Sequence, residues 1–220
     1  MELPLLVALL MCAFVCTAGT RSETIGPEYS DAPELTQTDW IPKGDLHYFT
    51  LSSSDSDIYP GIDKDRTKSP AGNPFVSIGP LDPPQSYPET RPYQRQIVVY
   101  VPKQLARENP SPLIVCQDGL GYVSSLAPAL DSLISDGRVP PVVAVMVNSG
   151  GGDAQGSQRG LEYDTISGLY AAFIESEVLP FVAMELSLQF TSDPRGRATM
   201  GGSSGAAAAF TMAWHRPDLY

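Results

Sequence analysis

Arg197-Ala198-Thr199-Met200-Gly201-Gly202-Ser203-Ser204-Gly205-Ala206-Ala207-Ala208-Ala209-Phe210-Thr211-Met212-Ala213-Trp214 decides the fold. Its first four residues read as a short strand, and the run from Ala206 to Trp214 is strongly helix-forming. Gly-x-Ser-x-Gly joins the two. A strand that turns at once into a helix holds the middle serine at strained backbone angles with its hydroxyl projecting from the sheet, and the flanking glycines keep side chains out of the corner. Ser203 is therefore the expected nucleophile. The alternative is an ordinary Gly/Ser-rich helix start in which Ser203 or Ser204 serves as an N-cap. The strand before the motif and the helix after it favour the nucleophile.

Working upstream, residues 96–102, 112–116 and 142–147 are short and nearly continuous in hydrophobicity, as strands buried on both faces are. Residues 47–52 alternate like a half-buried strand. Residues 126–134 have helical spacing, and residues 163–188 place Leu169, Phe173, Ile174, Glu177 and Val178 in a helix-like pattern that Pro180 interrupts. Strand, helix, strand, helix predicts an α/β fold: a mostly parallel, doubly wound sheet with right-handed crossovers. The Pro, Gly, Ser and Asp content of residues 55–89 reads as a long loop.

The chain has 220 residues with 14 Lys plus Arg against 25 Asp plus Glu, a net charge of -11. That balance argues against a nucleic-acid partner, whose binding depends on cations displacing counterions, and mildly against polyanionic substrates. Residues 3–15 form an apolar run too short for a membrane span of about 20 residues but of the length of a signal-peptide core, followed by small residues at Thr17 and Ala18. The expected organisation is a signal peptide over 1–18, a flexible N-terminal arm over 19–43 and an α/β domain over 44–220. A secreted protein without stable membrane insertion follows. Three cysteines do not make a disulfide framework, and their spacing offers no zinc site. Cys116, inside an apolar strand, reads as a small buried hydrophobe.

A serine nucleophile that forms an acyl-enzyme also needs donors for the oxyanion, conventionally the amide after the nucleophile and one from a loop after an earlier strand. Ser204 fits the first. The strand ending at Cys116 runs into Gln117-Asp118-Gly119-Leu120-Gly121-Tyr122, which makes the Leu120 amide the candidate for the second. An ordinary Asp-Gly turn is the plainer reading of that segment.

Four blocks in order, Gln117-Asp118-Gly119, Gly150-Gly151-Gly152-Asp153-Ala154-Gln155-Gly156, Arg159-Gly160-Leu161-Glu162-Tyr163-Asp164 and Gly201-Gly202-Ser203-Ser204-Gly205, resemble the enterochelin-esterase-like esterases of the α/β-hydrolase superfamily. The resemblance covers roughly residues 43–220. It implies Ser203 as nucleophile, Leu120 and Ser204 as oxyanion donors, and an Arg159/Glu162 pair beside the site, with Asp118 in support. Charge pairs more often anchor a loop than do chemistry. Ala206 stands where the family usually has another glycine.

The serine needs a histidine base oriented by a carboxylate, and in this fold they follow it in the sequence. Of two histidines, His47 precedes Ser203, and His215 lies about 18 Å away along the following helix. Acid and base are therefore expected beyond Tyr220, with the last strands of the sheet. The expected function is a secreted serine esterase acting on a small-molecule or glycan-linked ester, with no cofactor or metal. The 220 residues alone are expected to be inactive. Alternatives are an acyltransferase and a noncatalytic binding protein on the same fold.

Overall fold

The structure is a computed structural model that describes residue 26 and residues 30–36, 38–61, 92–151 and 157–220. The expected signal peptide, most of the expected 55–89 loop and the glycine block from Gly152 to Gly156 lie outside the described residues. Contacts group the protein into Met1–Asp31 and Ala32–Tyr220. Every helix and strand among the described residues belongs to the second unit.

Five strands form one sheet: β1 (Asp45–Ser52), β2 (Gln94–Val101), β3 (Leu113–Gln117), β4 (Val143–Val147) and β5 (Arg197–Met200), in the order β1-β2-β4-β3-β5. β2 pairs antiparallel with both β1 and β4, whereas β3 is parallel to β4 and to β5. β2 alone thus runs against the other four, and the half of the sheet that carries the serine is wholly parallel. β4 is buried at every position, as its unbroken apolar run predicts.

Alternate residues of the strands feed two cores. Ile97, Val99, Leu113, Val115, Val143, Val145 and Val147 face one side, where they meet helical residues such as Tyr170, Phe173, Val182 and Met212. Val98, Tyr100, Cys116, Ala144 and Met146 face the other and meet Ala127, Leu130 and Ile134. Those three belong to α1 (Val123–Ser135), which covers one face; α2 (Gln158–Tyr163), α3 (Leu169–Phe173), α4 (Leu179–Leu186) and α5 (Ser204–His215) supply the other. The result is the three-layer arrangement that a sheet with apolar residues on both faces requires. Cys116 is fully buried, and burial, then the charge of Asp118, pushes its thiol up to about 12. At neutral pH it is an inert core thiol.

The helix expected over 163–188 is divided. Tyr163 ends α2, residues 164–168 are not helical, and α3 passes into α4 through a π-helical turn at Ile174–Val178. Pro180 explains the π turn: with no N–H to donate, it is accommodated where the i→i−4 ladder is already shifted. Glu177, on that turn, accepts from Ser56 Oγ (2.5 Å), Asp57 N (3.1 Å) and Ile58 N (3.0 Å), which fixes the described part of the segment after β1. Within the region expected as an arm, the 3-10 turn Pro33–Leu35 sits against α1, where the Glu34 carbonyl accepts from Ser132 Oγ (2.8 Å) and its carboxylate pairs with Arg138. Buried Asp131 of α1 accepts from Gly44 N (2.8 Å) and Tyr100 Oη (2.7 Å), tying the start of β1 to the same helix.

Candidate active site

β5 ends at Met200 and α5 begins at Ser204, so three residues make the corner. Ser203 occupies φ 53° and ψ -126°, a conformation that costs a non-glycine residue about 1–3 kcal/mol. A helix cap could offset that cost, but the Ser203 side chain makes no cap hydrogen bond, and the residue is exposed. The N-cap alternative therefore fails at Ser203. What remains is a strained, solvent-exposed serine at the corner. Gly201 is required because a Cβ there would overlap the carbonyl of Gly205, and a Cβ on Gly205 would press on Asp118 Oδ2 at 3.0 Å.

β3 and β5 are parallel neighbours with Cys116 opposite Met200, so the turns beyond their carboxyl ends adjoin. A Cβ on Gly202 would strike the Tyr122 hydroxyl, and Gly205 lies against both Gln117 and Asp118. The predicted oxyanion turn and the predicted nucleophile turn are thus in contact, at the sheet edge where open α/β folds place their sites. Asp118 adopts the left-handed conformation (φ 55°, ψ 37°) that starts the 3-10 turn Gly119–Tyr122. Gly119 is buried so closely against Met146 of β4 that no Cβ fits. The Ser204 N–H is the first of α5, where helix geometry provides no acceptor. The Leu120 N–H donates to Asn148 Oδ1 at 3.1 Å.

The implied Arg159/Glu162 pair does not form; the two side chains of α2 take different partners. Arg159 grips Asp118 with two bonds, Nε to Oδ1 at 3.2 Å and Nη2 to Oδ2 at 2.7 Å, and stacks over the Tyr163 ring. The Tyr163 hydroxyl accepts the Asp118 N–H (3.1 Å). Arg159 and Asp118 therefore brace the turn after β3. Glu162 instead faces the core and meets Arg95 of β2 at 2.6 and 2.8 Å, with both side chains almost completely buried. The same carboxylate accepts from Gln158 Nε2 (2.7 Å), Tyr93 Oη (3.1 Å) and Gly150 N (3.3 Å). Burial alone would lower the Arg95 pKa, but the hydrogen bonds and charge of Glu162 hold it above the usual guanidinium range.

Sequence reasoning missed Arg95, Tyr93, Gln158 and Asn148. A signal for Arg95 existed: it shares the period of two with Ile97, Val99 and Val101, and so points into the core. Beginning that strand at residue 96 hid it. Neither histidine reaches the serine. His47 lies on β1, four strand spacings or about 19 Å across the sheet from β5. His215 ends α5 and packs beside Gly168.

No curated protein matches the sequence. Among solved structures, the chain is similar to a ferulic acid esterase from the anaerobic fungus Anaeromyces mucronatus (TM-score 0.54, 13% identity, 86% of this chain and 61% of that one). It is similar to the feruloyl esterase module of Clostridium thermocellum complexed with sinapinate (TM-score 0.51, 14% identity, 88% of this chain and 57% of that one). An enterobactin esterase from Shigella flexneri matches at TM-score 0.47 and 22% identity over 58% of this chain. The protein spans 31% of the length of that enterobactin esterase. The fold is that of the α/β-hydrolase esterases. A family model described as "Putative esterase" matches residues 90–220, more than half of the sequence and every element from β2 onward. The chain belongs to this esterase family.

Proposed function

We propose that the protein is a secreted serine hydrolase that cleaves a carboxylic ester through an acyl-enzyme on Ser203. The observation that carries this reading is the strained, uncapped and exposed Ser203 at the strand-to-helix corner. Its Oγ attacks the ester carbonyl and gives up its proton to a general base. The oxygen that becomes negative is held by the N–H groups of Leu120 and Ser204, and collapse of the adduct expels the alcohol. Water then repeats the attack and frees the acid and Ser203. Because both histidines lie far from Ser203, the base and its orienting carboxylate are assigned to residues beyond Tyr220. Asp118 and Arg159 serve as braces. The substrate is a small-molecule or glycan-linked ester, and secretion rests on the apolar run over residues 3–15.

Partitioning tests the acyl-enzyme. When the full-length protein turns over p-nitrophenyl acetate and phenyl acetate in the presence of methanol, the ratio of methyl acetate to acetate is expected to be the same for both substrates, since both pass through one acetyl-serine. A ratio that changes with the leaving group overturns the covalent intermediate.

A further inference from the structure

Asn148 follows β4 directly, and both of its main-chain groups are committed to β2: its N–H donates to Gln96 O (3.0 Å), and its carbonyl accepts from Arg95 Nη1 (2.7 Å). Arg95 is itself held by Glu162 and by the Tyr93 hydroxyl at 2.6 Å. The backbone of Asn148 is therefore anchored to the buried Arg95–Glu162 cluster. Its half-buried side chain spans to the turn after β3, where Oδ1 accepts the Leu120 N–H at 3.1 Å.

An amide oxygen is a close chemical match for an ester carbonyl oxygen, with the same sp² geometry and the same capacity to accept. One N–H well aligned on one oxygen does not serve a second, so a substrate that uses the Leu120 donor takes the place that Oδ1 holds. The geometry points to Asn148 as a positioning residue for the oxyanion hole: it keeps the Leu120 N–H aimed and satisfied while the site is empty, and yields it to the substrate oxygen. This rests on the reading of Leu120 as an oxyanion donor. Exchange of one neutral acceptor for another is nearly balanced in the ground state. Once the substrate oxygen carries charge its bond is roughly twice as strong, so the exchange favours the transition state over the bound ester.

Asn148→Asp keeps the shape and the acceptor but adds a charge. The new carboxylate holds the amide harder and repels the oxyanion. With p-nitrophenyl acetate and the full-length protein, kcat is expected to fall by about 10²–10³, the effect of deleting an oxyanion donor, while KM stays within about threefold because the neutral ester binds with or without the Leu120 N–H and only the oxyanion both needs that donor and is repelled by the carboxylate. A kcat within about threefold of the unaltered protein overturns the proposal, as does a loss carried equally by KM. Asn148→Leu, which removes the acceptor, is expected to speed amide hydrogen exchange at Leu120 by about tenfold, the worth of one hydrogen bond. Exchange at Asp118 and Gly121, whose N–H groups bond Tyr163 Oη and Asp118 O, is expected to stay unchanged. Equal Leu120 exchange in both proteins also overturns it. Ser203→Ala run alongside separates the two readings. Turnover that survives Ser203→Ala overturns the acyl-enzyme on Ser203, and with it the oxyanion hole in which Asn148 is placed, whereas Ser203-dependent turnover indifferent to Asn148→Asp overturns the role of Asn148 alone.

Discussion

Replacing Ser203 with alanine is expected to lower kcat for p-nitrophenyl acetate by about 10⁶-fold in the full-length protein, the scale on which serine hydrolases respond to loss of the nucleophile. The fold is expected to survive. Alanine carries the same Cβ, so it meets the same backbone strain at φ 53°, and the hydroxyl removed makes no cap hydrogen bond. Unfolding stability should therefore stay within about 0.5 kcal/mol of the unaltered protein. The pairing of a large kinetic loss with an unchanged unfolding midpoint separates a nucleophile from a structural serine. Retained turnover removes Ser203 from the mechanism.

The second large effect is on stability. Glu162→Ala is expected to cost about 3–5 kcal/mol, because it leaves the Arg95 guanidinium buried without its counter-charge. Gln158 Nε2 and Gly150 N lose the same acceptor. Only the Asn148 carbonyl and the Tyr93 hydroxyl remain to Arg95 among these partners. For a domain of this size the loss corresponds to a fall in Tm of about 6–20 °C, and urea denaturation reads the same quantity. The surface pair Arg195–Asp193 provides the contrast: both groups are exposed, and its removal is expected to change stability little. A Glu162→Ala variant within about 1 kcal/mol of the unaltered protein contradicts the assignment of this pair as the anchor between β2 and α2.

Much of this was legible from local pattern. Apolar runs without alternation read as strands buried on both faces, and β2, β3 and β4 fall within about two residues of those runs. The Gly-x-Ser-x-Gly corner was readable because its chemistry is local: five residues specify the turn, and the sequences on either side specify strand and helix. Partners were not legible. Arg159 and Glu162 stand three apart on one short helix, and nothing in that spacing says that the first turns to Asp118 and the second to Arg95. Those choices depend on where β2 and β3 lie after the sheet has formed. Asn148 was equally hidden, since a polar residue after a strand looks like any loop residue until the Leu120 amide is seen to point at it. The π turn at Ile174–Val178 was obscured by apolar spacing that resembles a continuous helix.

The most direct test of the central claim is the site of covalent capture. The full-length protein is treated with a fluorophosphonate, which reacts with activated serines, then digested, and the modified peptide is identified by mass spectrometry. The account predicts a single adduct on Ser203, lost in Ser203→Ala. An adduct on another residue, or none in a protein that hydrolyses p-nitrophenyl acetate, contradicts it.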